Sequence, residues 1–132
     1  MPVLEPQDIP VVATSDVLVV DGTVDGCFLA IRLARRGLRV TLAATGTSLP
    51  TDVAMTLRPW TAKDALPRLP PDIAAWVQAC RDRRETAPRD EVLLHPLRLT
   101  ETIEDALLDA GVRLFYDLNP CAAVAVEGRL EG

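Results

Sequence analysis

Asp21-Gly-Thr-Val-Asp-Gly26 is the segment of this chain whose residue types and spacing point to chemistry. It follows an apolar run, Val17 to Val20, and leads into Cys27 to Arg36, whose apolar residues recur at helical spacing. A glycine-containing turn between a strand and a helix aims backbone N–H groups and the positive end of the helix dipole at one point. That point is where the phosphates of a dinucleotide bind. The same six residues carry two carboxylates, Asp21 and Asp25, which would repel such a ligand. Two like charges about 5 Å apart repel by roughly 3 kcal/mol at an effective dielectric of about 20. A helix N-terminus offers an anion only about 0.3 to 2 kcal/mol. Asp25, in the first helical turn, can instead complement the dipole itself.

The remaining reactive side chains read as ordinary structural residues. Cys27 lies in the first turn of the helix, where thiolates are favoured, but a small residue packed against the sheet is the stronger expectation. Cys27, Cys80 and Cys121 are too far apart for a CxxC metal site and do not form a disulfide framework. His95 is the single histidine, held extended by Pro96, and reads as a loop or edge residue rather than a general base. Glu101, Glu104 and Asp105 stand near the start of a helix, where acids favour the dipole. No catalytic residue and no metal set emerges.

The elements that must position the loop are legible from periodicity and punctuation. After an irregular leader over residues 1–15, a first strand begins at about Asp16. A helix spans roughly Val24 to Arg36, Gly37 caps it, and Leu38 to Ala43 makes a second strand. Residues 45–71 are broken by prolines and read as an ordered excursion in which Val53 to Leu57 is extended and Trp60 is buried. Asp72 is expected to cap a helix running through about Arg84, with Ile73, Trp76, Val77 and Cys80 on one face and Arg81 to Glu85 as a solvated end. A third helix runs from about Leu97 or Thr100 to Ala110 and is stopped by Gly111; Val112 to Tyr116 is then a third strand reached by a crossover. Cys121 to Val126 is a fourth strand, and Glu127-Gly128 turns it into a hairpin. The expected fold is α/β: a three-stranded, Rossmann-like parallel sheet with the start of a β-meander, in a single domain over residues 1–132.

At 132 residues, 48% hydrophobic and 25% charged, the chain can bury a core, and its net charge of −5 argues against nucleic acid or an anionic membrane as its main partner. The N-terminus has neither the basic nor the apolar region of a signal peptide, and no stretch reaches the length of a membrane span, so the expected location is the cytoplasm.

Residues 16–44, DVLVVDGTVDGCFLAIRLARRGLRVTLAA, resemble the N-terminal motif of FAD-dependent oxidoreductases of the glutathione-reductase type. In that family a DVVVVGGGxAG-like loop precedes a helix, a glycine and a second strand ending in an acid. The resemblance implies an FAD/NAD(P)-binding Rossmann-like domain that is incomplete relative to the family. Its cofactor would be FAD, with Asp21, Gly22, Thr23, Asp25, Gly26, Ala44 and Thr45 at the cofactor-binding positions. Aligned on the motif, Asp21, Thr23 and Gly26 take the three glycine positions, so one glycine of three remains. Ala43 and Ala44 stand where the ribose-binding acid is expected, and Thr45 is a weaker hydrogen-bonding neighbour. Two functions are compatible with this pattern. The chain is the N-terminal part or small subunit of an FAD-dependent oxidoreductase, its hydride transfer completed by other residues or a partner subunit. Alternatively, it is a degenerate Rossmann-like structural or interaction subunit that binds no dinucleotide and associates with a partner or with its own copies.

Overall fold

The computed structural model describes residues 10–54, 59–82 and 90–130. In chain order its elements are β1 (Val17–Val20), α1 (Val24–Ala34), β2 (Val40–Ala43), α2 (Thr51–Ala54), β3 (Trp60–Ala62), a 3-10 turn at Leu66–Arg68, α3 (Pro71–Cys80), β4 (Glu91–Leu93), α4 (Pro96–Asp109), β5 (Arg113–Phe115), β6 (Ala125–Val126) and β7 (Arg129–Leu130). β1, β2 and β5 form a parallel sheet in that order, with Val19 beside Leu42 and Leu42 beside Leu114. This is the expected βαβ unit plus a crossover to a third strand.

Local chemistry sets each boundary around the loop. Thr23 is extended (φ −76°, ψ 168°), and its hydroxyl accepts a hydrogen bond from the Gly26 amide at 3.2 Å, which starts α1. At the far end Leu38 N–H donates to Leu33 O and Gly37 N–H to Ala34 O, with Gly37 at φ 89°, a left-handed turn that releases the chain into β2. Asp16 and Arg39 tie the starts of β1 and β2 together through a 2.6 Å ion pair. Pro96 opens α4, and His95 caps it, Nδ1 accepting from the Arg98 amide at 3.5 Å.

The core lies between one face of the sheet and the helices. Ile31 of α1, Leu42 of β2, and Ile103 and Leu107 of α4 are fully buried, and Trp76 of α3 meets Phe28 of α1 edge-on at 6.3 Å. The alternation in β1 places Val17 and Val19 on the core face and Leu18 and Val20 on the other, where they are 58% and 43% exposed. Among the described residues, no strand pairs with the outer edge of β1.

Several expectations are corrected. Val53 belongs to the short helix α2 and not to an extended stretch, whose remainder, residues 55–57, lies outside the described residues. Asp72 does not cap α3: Pro70 takes the cap position and Pro71 the first turn, leaving the Asp72 carboxylate to pair with Arg35 at 3.1 Å. α3 ends at Cys80 because Arg81 turns extended (ψ 124°) and bridges Leu94; residues 83–89 lie outside the described residues. Trp60 is 46% exposed on β3, which pairs antiparallel with β4 in a small sheet of its own. Only Ala125 and Val126 of the expected fourth strand are extended. They form a separate hairpin with β7 through Glu127 (φ 49°) and Gly128 (φ 79°).

Candidate functional site

The loop at the head of α1 is held by the chain's own side chains. Asp21 Oδ1 accepts from the Thr23 amide at 2.9 Å, and Asp21 Oδ2 accepts from the Thr23 hydroxyl at 2.8 Å. Thr23 Oγ1 in turn accepts from the Gly26 amide. The Val24 amide, next in the first turn, donates to Asp52 Oδ1 at 3.1 Å, a contact spanning 28 residues. Thr23, Val24 and Gly26 are therefore already satisfied at the place where a phosphate would need donors.

The two glycines of the loop make room for internal neighbours. A Cβ on Gly26 would lie 2.7 Å from Cβ, Cγ and Oδ2 of Asp21, so the Asp21 side chain lies directly over Gly26. A Cβ on Gly22 would meet Thr51 Cγ2 at 2.8 Å and Ala44 Cβ and Leu49 Cδ2 at 3.3 Å. The Thr51 amide also donates to Gly22 O at 2.7 Å. In dinucleotide-binding loops the third glycine, Gly26 here, serves close packing of the helix on the strand, and the second, Thr23 here, lets the backbone approach the diphosphate. That position now carries a side chain bonded to Asp21 and to the Gly26 amide, and a diphosphate does not fit against the loop in this arrangement.

Charge points the same way. Asp52 lies with Asp21 and Asp25 around the first turn of α1. Partial desolvation raises its pKa above the ordinary carboxylate value, the Val24 hydrogen bond opposes the rise, and Asp25 and Asp21 add to it. A diphosphate arriving here would meet carboxylates where a binding loop presents only N–H groups.

The segment carrying Thr51 and Asp52 is anchored to the core. Leu49 is fully buried, Pro50 beside it is buried, and the Leu49 carbonyl accepts from the Thr100 hydroxyl of α4. The end of β2 is closed too: the Ala44 amide donates to Phe115 O at 2.8 Å, and Ala44 O accepts from the Leu118 amide at 3.1 Å. Ala44 itself is fully buried.

The structure thus gathers Asp21, Gly22, Thr23, Gly26 and Ala44, while Asp25 and Thr45 are exposed at the margin. The sequence pointed to Asp21 and Asp25; Asp25 does stand in the first turn, but it is the Asp21 and Asp52 side chains that accept the hydrogen bonds there. Asp52 and Thr51 were not legible in advance, because nothing local marks a contact made from so far along the chain.

Cys27, beneath the loop, is fully buried, and burial followed by the nearby Asp21 and Asp52 carboxylates pushes its thiol up to about 12. It is a packed residue and not a thiolate. Just beyond β5, the Tyr116 hydroxyl donates to the Glu104 carboxylate of α4, and burial with this contact raises the phenol above its usual range. Among the described residues no group of three His, Cys, Asp or Glu side chains is placed to hold a metal ion. No described helix is long and apolar enough to cross a membrane.

No protein-family model and no curated protein matches the sequence. Solved structures do resemble the fold. THI4 from Thermovibrio ammonificans is 18% identical with a TM-score of 0.56 over 88% of this chain. A geranylgeranyl bacteriochlorophyll reductase-like protein from Thermoplasma acidophilum is 16% identical with a TM-score of 0.60 over 88% of it. L-Amino acid deaminase from Proteus myxofaciens is 14% identical with a TM-score of 0.50 over 96% of it. The chain spans 44%, 33% and 43% of those proteins, respectively. At such identities the likeness concerns architecture, and it agrees with the sheet order and crossover described above: the chain has a Rossmann-like α/β fold.

Proposed function

We propose that this chain is a Rossmann-like structural or interaction module whose dinucleotide loop has been turned to internal contacts. The observation that carries this reading is the bonding of the α1 N-terminus: Asp21, Thr23 and Asp52 supply the acceptors that a diphosphate would otherwise supply. The exposed apolar face of β1 supports the second half of the proposal. Val17 to Val20 reads as a strand buried on both sides, yet Leu18 and Val20 are open and the outer edge is unpaired among the described residues. A partner subunit or a second copy that packs on this face and pairs with this edge would cover both the side chains and the backbone groups.

The resemblance of residues 16–44 and the fold shared with a reductase-like protein and an amino acid deaminase favour a second reading. In it the chain is the N-terminal part or a small subunit of an FAD-dependent oxidoreductase, a scaffold for a flavin whose diphosphate is seated by residues outside this chain. Absorbance spectroscopy with added FAD, on the purified protein and on its complex with the partner it assembles with, together with the assembly mass, decides between them. The module reading expects a colourless protein that ignores FAD and associates with a partner or with itself. A yellow, stoichiometric flavoprotein refutes it.

A further inference from the structure

Gly22 and the first turn of α1 are closed by Thr51 and Asp52, residues that the loop's own sequence does not contain. From this we infer that Leu49–Ala54 is an internal occupant of the loop: an autoinhibitory contact in which the Asp52 carboxylate, not the loss of loop glycines, is the main barrier to an external diphosphate. The inference rests on the reading that the native loop holds no dinucleotide, and it names what excludes one.

Three observations support it. First, the contact is bonded at both ends, with the Thr51 amide on Gly22 O at 2.7 Å and Asp52 Oδ1 on the Val24 amide at 3.1 Å. Second, the segment is seated and not merely laid on the surface, since Leu49 is fully buried and its carbonyl takes the Thr100 hydroxyl. Third, the glycine at position 22 is already present, yet the space it opens is taken by the Thr51 methyl group. Restoring glycines at Asp21 and Thr23 would therefore leave both the Thr51 methyl and the Asp52 charge in place. An incoming diphosphate would still compete with a tethered carboxylate for the same N–H, and a tethered group is present at high effective concentration.

The test compares four full-length chains: wild type, D52A, the loop variant D21G/T23G/D25A, and the loop variant with D52A added. Each is titrated with FAD by absorbance and with inorganic diphosphate by calorimetry, after circular dichroism has checked the fold. The expected order is no binding by wild type, none or weak binding by the loop variant, and binding about a hundredfold tighter once Asp52 is also removed, as expected for deletion of one nearby like charge. Amide exchange at Val24 should quicken about fivefold in D52A through loss of its cap. If D52A fails to fold in the loop background, D52N replaces it and should give the same order, because it removes the charge and keeps an acceptor for Val24. Equal affinities of the loop variants with and without Asp52, absence of binding by both, or unchanged exchange at Val24 in D52A overturns the inference. Stoichiometric FAD binding by wild type overturns instead the reading on which it rests.

Discussion

Replacing Gly26 by alanine tests whether the loop serves the protein or a ligand. An alanine inside a helix is favoured over glycine by about 1 kcal/mol, so with open space above it G26A would stabilise the fold. The structure puts Asp21 Cβ, Cγ and Oδ2 each 2.7 Å from the new methyl, a distance at which Asp21 must move. Moving it breaks the hydrogen bonds from the Thr23 amide and hydroxyl, at 2.9 and 2.8 Å. Bonds to a charged acceptor are worth about 1.5 kcal/mol each at the lower end, suited to a partly buried pair, so the loss is about 3 kcal/mol. Set against the helix gain, G26A should destabilise by about 2 kcal/mol, seen in urea titrations as a lower midpoint at unchanged slope. D21A should not rescue the variant, because its Cβ still lies 2.7 Å from the methyl. D21G should, and in that background G26A should return to a gain of about 1 kcal/mol, a coupling of about 3 kcal/mol across the cycle. A stabilised G26A single variant, or rescue by D21A equal to that by D21G, refutes the packing of Asp21 over Gly26.

Two further outcomes follow from the titrating groups. Asp52 has its pKa raised, so its contribution is fully present below the ordinary carboxylate value of about 3.9 and is lost as pH rises through the folded value. Wild type should therefore lose stability relative to D52N over that interval in denaturant titrations. A wild-type advantage that grows with pH would contradict the raised pKa that partial desolvation, with Asp25 and Asp21 nearby, gives Asp52. Asp16, held below the ordinary value by Arg39, has the opposite sign: its contribution is present above that value and is lost as pH falls through the folded one. Among the thiols, Cys121 is exposed while Cys27 and Cys80 are buried. A disulfide reagent at neutral pH should modify Cys121 promptly and the other two only on unfolding. Prompt reaction at Cys27 would mean that the loop opens readily.

Much of this fold is legible in sequence because its signals are local. The apolar run Val17 to Val20, and Gly37 and Gly111 as helix stops, each act on their immediate neighbours, and each boundary falls within a few residues of expectation. The Glu127-Gly128 turn is equally local and is found with both residues left-handed. What escapes is short or distant. β3 and β4 have three residues each, too few to display an alternation, and they pair across 29 residues at Ala62↔Glu91 and 33 at Trp60↔Leu93. Asp72 looks like a cap by type, but the prolines before it pre-empt the position. Within the site, sequence shows that Asp21, Thr23 and Asp25 replace the usual small residues. It does not show Asp52, whose part in the site depends on where α4 and Leu49 place α2.

The open edge of β1 bears on how the protein behaves as a solute. Leu18 and Val20 leave an apolar stripe beside backbone groups that no strand pairs among the described residues, the arrangement by which sheets join edge to edge. At pH 7 a net charge of −5 keeps copies apart, and that repulsion fades toward the isoelectric point near 4.8. Acidification that relieves Asp52 within one molecule thus lowers the barrier between molecules. The Asp52 contribution to folding and the charge that keeps copies apart change in opposite directions as pH falls.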